Sequence, residues 1–239
     1  MYTSVGRHML RATSHGYEDA SACFDHTKPF VCEADRGVLF AVADGVSRAK
    51  RGGESARFAC AGLERFFKDP GVAASADGLR TLIAELDAEV AGWGGDDGTT
   101  RSDGAAALTV AWLTPEHRVV IAQLGDTAAF RLREDDPKQA IKLTPDQSIG
   151  HGLTHYIGQG CGEARIHVVT CPFDEADRLV LVSDGVTKAL TASDIGEVVA
   201  AARDESEAAE TLCTLARRRR SYDDITAMVV FLEQWDDWE

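Results

Sequence analysis

The order of helical and strand-like segments is the feature that most restricts the fold of this chain. Helical periodicity covers residues 53–68 and 76–91 and returns at 193–202 and 205–219, so the helices come in two pairs. Short apolar runs rich in Val, Ile and Phe lie before, between and after these pairs, at 30–33, 38–43, 106–113, 118–124, 128–132, 165–170, 178–183 and 225–232. Turn-forming residues join several of the runs, which is typical of antiparallel hairpins.

This order predicts an α+β fold, a four-layer αββα sandwich in which two antiparallel β-sheets are flanked by helix pairs. A doubly wound parallel sheet does not fit, because its helices would alternate regularly with its strands. The stretch richest in Gly and Asp, 92–104, separates a helical pattern from a strand and reads as a loop. We therefore expect residues 1–239 to form a single domain.

Charge and composition exclude several kinds of partner. The chain has 25 Lys and Arg against 39 Asp and Glu, a net charge of −14, which argues against binding to a nucleic-acid backbone. It has neither an apolar run of membrane-spanning length nor the apolar core of a secretion signal at its N-terminus. Its six cysteines form no C-x-x-C pair, which favours reduced thiols. We expect a cytoplasmic monomer with no nucleic-acid or membrane partner.

Acidic residues lie at the ends of predicted strands in four separate places. They are Glu18 with Asp19, Asp44 after LFAVA, Asp184 after LVLVS, and Asp223 with Asp224 before ITAMVVFL. A two-sheet sandwich can bring these strand ends to one rim, where the carboxylates would repel one another and their pKa values would rise. Hard divalent cations such as Mg²⁺ or Mn²⁺ would offset that repulsion, because they prefer oxygen ligands.

The Asp-Gly pairs also have a simpler interpretation as hairpin turns. Against it, the residues after Asp44-Gly45 and after Asp184-Gly185 read as a loop followed by a helix, not as a partner strand. Gly45 suits a metal site further, since a residue without a side chain lets its carbonyl approach an ion. The pair Asp223-Asp224 is equally consistent with a surface turn.

Six segments occur in the order and approximate spacing of a known family. They are YEDA (17–20), FAVADGVS (40–47), QLGDTAAFRL (123–132), LTPDQS (143–148), LVLVSDGV (179–186) and YDDITAMVV (222–230). Over about residues 10–232 the chain thus resembles the metal-dependent Ser/Thr protein phosphatases of the PP2C type, the PPM family. With Ser14-His15 upstream of the first acid, it is most similar to the short bacterial branch.

The resemblance implies an αββα sandwich with two Mg²⁺ or Mn²⁺ ions at one rim. Asp44 would bridge both ions, Gly45 would offer its carbonyl to one, and Asp184 and Asp223 would complete the other. Two adjacent cations would activate a shared water for attack on phosphorus and neutralise charge on the phosphoryl oxygens.

Glu18 and Asp19 would be catalytic residues that hold the metal-bound waters. The implied reaction is hydrolysis of phosphoserine or phosphothreonine, opposing a cognate kinase. The implied partner is a phosphorylated protein, either that Ser/Thr kinase or one of its targets.

The chain departs from the family pattern near the phosphate. Where many relatives have an Arg, residues 13–16 read TSHG, so His15 is a candidate catalytic residue, for phosphate binding or proton donation, or else a plain surface residue. After the second motif, Arg48 and Arg51 are candidates for phosphate binding at the mouth of the site. A solvated basic loop explains them equally well.

A third metal ion in relatives uses an acid at the position of Asp126 and another four residues after Asp184, where this chain has Lys188. The third ion is therefore doubtful, and the ammonium of Lys188 is a candidate to fill that space as a fixed charge. Asp126 is otherwise the turn of a hairpin. The segment after LTPDQS is also short, which predicts an open substrate site.

Two functional hypotheses from different classes follow. The first is an active metal-dependent Ser/Thr phosphatase. The second is a catalytically weak or inactive relative that binds phosphoproteins as a scaffold, which the missing Arg and the presence of Lys188 keep open. Retention of Asp44, Asp184 and Asp223 favours the first, because a binding module has no need to gather repelling carboxylates.

Overall fold

The computed structural model describes residues 2–12, 16–94, 102–150 and 152–234. In order, its strands are β1 Tyr2–Leu10, β2 Ala20–Phe24, β3 Val38–Gly45, β4 Ala106–Thr114, β5 Arg118–Leu124, β6 Ala128–Arg133, β7 Asp136–Lys142, β8 Ser148–Ile149, β9 Gly152–Leu153, β10 His167–Pro172, β11 Arg178–Val182 and β12 Ile225–Gln234. The α-helices are α1 Pro29–Ala34, α2 Gly52–Gly62, α3 Arg65–Lys68, α4 Ala76–Ala91, α5 Asp184–Thr187, α6 Ala192–Ala201 and α7 Glu205–Arg218. A 3₁₀ turn covers Glu163–Arg165.

Within the described residues the long strands form two five-stranded antiparallel sheets. One has the order β1-β12-β11-β6-β7, and the other has the order β10-β5-β4-β3-β2. Helices α6 and α7 pack on the first sheet, while α2 and α4 pack on the second. The predicted αββα sandwich is confirmed.

The strand β11 shows why the sequence LVLV, residues 179–182, is apolar at every position. Leu179 and Leu181 belong to the large core that includes the second sheet. Val180 and Val182 belong to a separate core formed with α6 and α7. A strand in an inner layer is covered on both faces, so successive side chains, which point to opposite faces, are all buried.

Two predicted elements differ from the structure, and two strands were not predicted. Residues 30–33, predicted as a strand, lie in α1, which begins at Pro29, a residue that favours the first turn of a helix. The edge strands β1 and β7 were missed, because their sequences are polar and, in β7, largely exposed. The helix predicted over 53–68 is divided into α2 and α3.

No helix in the described ranges is both long enough and apolar enough to cross a bilayer. All six cysteines are present as free thiols, and they range from buried to exposed.

A buried ion pair connects β6 to the loop before β11. Arg131 donates from Nε to Oδ2 of Asp177 at 2.7 Å, and from Nη2 to Oδ2 of Asp174 at 3.0 Å. The Asp177 side chain is 2% exposed and that of Asp174 is 70% exposed, so one guanidinium has one buried and one solvated partner.

We expect Asp177→Ala to lower the free energy of unfolding by about 3 kcal/mol, because the largely buried Arg131 would lose its enclosed counter-charge. Asp174→Ala removes the exposed partner of the same guanidinium and should cost less than about 0.5 kcal/mol. Urea denaturation of both variants measures the difference, and equal losses would show that burial does not determine the strength of this pair.

Candidate metal centre

A cleft of about 580 Å³ opens at one rim of the sandwich. Its acidic lining residues are Asp44, Asp126, Asp146, Asp184 and Asp223. Four of these five, namely Asp44, Asp126, Asp184 and Asp223, are the candidate metal ligands named from the sequence, and we call them the cleft acids. They lie at the ends of strands of both sheets. The structure therefore brings together residues that are up to 179 positions apart, the separation of Asp44 and Asp223 (223 − 44).

The second sheet supplies Asp44, the penultimate residue of β3, and Gly45 follows it. The Gly45 N–H donates to the carbonyl of Glu18 at 3.2 Å. A Cβ on Gly45 would lie 2.5 Å from the carbonyl carbon of Gly52, at the start of α2. Glycine is thus required here for the close approach of α2, a packing reason that the sequence did not show.

The first sheet supplies Asp184, which begins the short helix α5 directly after β11. Lys188 lies one helical turn further on, and its Nζ is 2.5 Å from Oδ2 of Asp184 and 3.2 Å from Oδ2 of Asp223. The ammonium therefore joins two cleft acids that are far apart in the sequence. The i,i+4 spacing of Asp184 and Lys188 in the sequence is the spacing expected for their ion pair on a helix.

Burial and neighbouring charges raise the pKa values of Asp44, Asp126 and Asp184. Burial, followed by the charges of Asp19 and Asp184, raises the pKa of Asp44 well above its usual range. Burial and then the charge of Asp184 raise the pKa of Asp126 to about 6. Burial also raises the pKa of Asp184, although Lys188 opposes this effect. A divalent cation would relieve the same repulsion.

Asp19 is buried behind the cleft rather than lining it. Thr226, in β12, donates from its hydroxyl to Oδ2 of Asp19 at 2.6 Å and also contacts the Tyr17 hydroxyl at 2.7 Å. Burial raises the pKa of Asp19 to about 7, even though the hydrogen bond from Thr226 lowers it. Thr226 was missed by sequence reasoning, although a hydroxyl residue inside the otherwise apolar run ITAMVVFL was a visible signal.

The adjacent acids Asp223 and Asp224 have different environments. Asp223 lines the cleft. The Asp224 carboxylate is buried and accepts from the backbone N–H groups of Ala12 at 2.6 Å and Glu18 at 2.7 Å. Asp224 thereby ties the segment that carries Glu18 and Asp19 to the start of β12. The pair is not the surface turn that the sequence also allowed.

Arg217, near the C-terminus of α7, supports the same loop. Its guanidinium donates to the carbonyls of Ser221 at 2.6 Å, Arg11 at 2.9 Å and Asp223 at 3.1 Å. These three bonds fix the backbone on both sides of the rim, which no motif in the sequence indicated.

The match to the family model described as protein phosphatase 2C extends over residues 11–230. The chain belongs to the protein phosphatase 2C family. Membership confirms the family predicted from the six motifs, and with it the class of metal-dependent Ser/Thr phosphatases that use Mg²⁺ or Mn²⁺.

Individual relatives show how far the likeness extends. The serine/threonine phosphatase stp of Listeria innocua is 25% identical and aligns with 90% of each chain. The S. agalactiae serine/threonine phosphatase has a TM-score of 0.78 at 19% identity, covering 97% of this chain and 100% of its own. The catalytic domain of the phosphatase PstP, described in complex with two manganese ions, has a TM-score of 0.72 at 19% identity, covering 97% and 99%.

The donor set fits the divalent ions of the protein phosphatase 2C family. The acids offer hard carboxylate oxygens, and Oδ1 of Asp184 and Oδ1 of Asp19 are buried with no hydrogen-bond partner in the described part of the chain. Yet among the residues that the structure describes, no three His, Cys, Asp or Glu side chains are already arranged to hold an ion.

The two candidate phosphate-binding arginines are in different places. Arg48 is exposed and lines the cleft. Arg51 is not among the lining residues; its guanidinium pairs with Glu54 and lies 4.1 Å from the centre of the Trp93 ring. His15 lies outside the described residues.

The opposite environments of Asp223 and Asp224 give a matched pair of variants. We expect Asp224→Ala to lower the free energy of unfolding by about 3 kcal/mol, because two backbone N–H groups lose a charged acceptor. We expect Asp223→Ala to change stability by less than about 1 kcal/mol, since its side chain is partly exposed at the cleft.

Urea denaturation measures both variants, and hydrogen exchange at Ala12 and Glu18 locates the effect. Faster exchange at these two amides in Asp224→Ala alone is the expected pattern. The same exchange rates in both variants would contradict the proposed anchoring by Asp224.

Proposed function

We propose that this member of the protein phosphatase 2C family removes phosphate from Ser and Thr of bacterial proteins at the cleft formed by Asp44, Asp184 and Asp223. The observation that carries the assignment is the convergence of these acids, from both sheets, at one rim. The raised pKa values of Asp44 and Asp184 are the electrostatic sign of a site that suits cations.

In this proposal Asp44 would be a ligand of two divalent ions, with the Gly45 carbonyl as a further ligand of one ion and Asp184 and Asp223 as further ligands of the other. Bound there, the ions would supply a water of lowered pKa and positive charge for the phosphoryl oxygens. We assign no third ion: Asp126 lines the cleft, but the residue four positions after Asp184 is Lys188.

The remaining roles belong to residues around the acids. Asp19 is held by Thr226 through Oδ2, which leaves Oδ1 to orient a water next to Asp44. Glu18 shares this water-holding role, and its backbone is fixed by Asp224 and Gly45. Arg48, exposed at the mouth, is the better placed of the two arginines to meet a substrate phosphate.

Arg51 is less suited to that task, because it is paired with Glu54 and packed on Trp93. His15 remains a predicted catalytic residue. The hairpin of β8 and β9 is small, and its residues Ser148, Gly150 and Leu153 border the cleft. A short border of this kind leaves room for a phosphorylated segment of a protein substrate.

We further propose a cytoplasmic, monomeric, single-domain enzyme that opposes a cognate Ser/Thr kinase. The six free thiols support a reducing compartment. The strong negative charge supports a protein substrate over nucleic acid. The alternative is a weakly active or inactive phosphoprotein-binding scaffold, favoured by the arrangement in which Lys188 pairs with two of the proposed ligands.

We expect hydrolysis of para-nitrophenyl phosphate and of a phosphothreonine peptide to require Mn²⁺ or Mg²⁺ and to stop on addition of chelator. Asp44→Asn and Asp184→Asn should each lower kcat/KM at least about a hundredfold, because each removes a charged ligand.

Asp135→Asn is the control, since Asp135 is exposed on the β6–β7 turn and pairs with Arg133. It should keep wild-type turnover. Metal-dependent turnover that survives in the Asp44 and Asp184 variants would show that the ions bind elsewhere. Phosphopeptide binding by the wild type with no turnover would instead support the scaffold.

A further inference from the structure

Lys188 contacts one carboxylate oxygen of each of two proposed metal ligands. Its Nζ contacts Oδ2 of Asp184 at 2.5 Å and Oδ2 of Asp223 at 3.2 Å. The other oxygen of Asp223 accepts from the backbone N–H of Asp224 at 3.0 Å. An ion that binds Oδ2 of Asp223 must therefore displace the ammonium or share this oxygen with it.

The two oxygens of Asp184 also have different environments. Oδ2 receives the ammonium, while Oδ1 is buried without a hydrogen-bond partner in the described ranges. The Lys188 side chain is 58% exposed, so it can leave the acids and enter solvent without a large rearrangement. The Asp184 side chain is only 14% exposed and has no such freedom.

We propose that Lys188 is a tethered counter-ion that competes with divalent metal for Asp184 and Asp223. When metal is scarce, the ammonium neutralises the two acids and holds the rim together. When metal binds, Lys188 gives up these oxygens and moves toward the mouth of the cleft. The inference rests on the proposed assignment of Asp184 and Asp223 as metal ligands.

Competition has two linked consequences. The metal-free protein is stabilised, because one positive charge offsets the repulsion among the cleft acids. The apparent affinity for metal is lowered, because binding must break the ion pairs of Lys188 and place a dication near its tethered positive charge. Removing the ammonium should therefore change stability and affinity in opposite directions, which a merely structural lysine would not do.

Lys142 provides the control. It also lines the cleft, but its ammonium pairs with Asp146 and not with the proposed ligands. Lys188→Met and Lys142→Met remove the same charge from the same cleft and keep a side chain of similar length. The comparison separates direct competition from the general effect of cleft charge.

The test measures Mn²⁺ binding to the purified full chain by electron paramagnetic resonance and by titration calorimetry, together with thermal unfolding with and without chelator. For Lys188→Met we expect Mn²⁺ to bind at least about fivefold more tightly. We expect its metal-free melting temperature to fall by about 3 °C. Lys142→Met should leave both quantities close to wild type. Lys188→Arg, which keeps the positive charge, should also leave both close to wild type.

Equal Mn²⁺ affinity in the two methionine variants, or weaker binding in Lys188→Met, would overturn the proposal. An unchanged metal-free melting temperature in Lys188→Met would also overturn it. These failures leave the phosphatase assignment intact, provided wild-type protein still binds Mn²⁺ and turns over substrate. Tighter binding in Lys188→Met by a protein with no turnover would support the competition and refute the proposed activity.

Discussion

Electrostatic repulsion among carboxylates in a partly buried cleft is the constraint on which this structure depends. Asp44, Asp126 and Asp184 all have raised pKa values, and burial is the first cause in each case. Burying carboxylates close together is unfavourable, and such clusters are typical of sites that bind a ligand. Hard cations are the ligands that carboxylate oxygens suit. The sandwich brings the acids together because strands of both sheets end at the same rim.

Groups behind the cleft keep the acids in place against this repulsion. The carboxylate of Asp224 ties the Ala12–Glu18 segment to β12, and Arg217 binds three carbonyls around the same loop. Thr226 holds one oxygen of Asp19. Asp224, Arg217 and Thr226 are not among the lining residues of the cleft, so these anchoring groups are separate from Asp44, Asp126 and Asp184.

The sequence was informative wherever burial imposed a pattern. The runs before Asp44 and Asp184 are apolar on both faces, so their strand character and their ends at a shared rim could be predicted. The edge strands β1 and β7 could not, because solvent on their outer side permits polar residues with no clear alternation.

Contacts between distant segments were beyond the reach of sequence reasoning. The approach of α2 to Gly45, the bonds from Arg217 and the pair of Lys188 with Asp223 each join segments that only the completed fold brings together. Arg51 gives a related example, since this candidate phosphate-binding residue lies near a motif but pairs with Glu54 and packs on Trp93. Charge near a site is informative only once the orientation of the side chain is known.

The position of β12 has a consequence for how the protein is made. This strand is the last in the described chain, yet it lies inside its sheet between β1 and β11. Until it emerges from the ribosome, β1 has no partner strand in the sheet, and the rim lacks Asp223 and the anchor Asp224. Pairings of such long sequence separation form slowly, so the nascent chain must keep two strand edges, on β1 and β11, from aggregating until β12 has been synthesised. The acidic cleft is therefore complete only after β12 has inserted between these two strands, because Asp223 directly precedes Asp224 and β12.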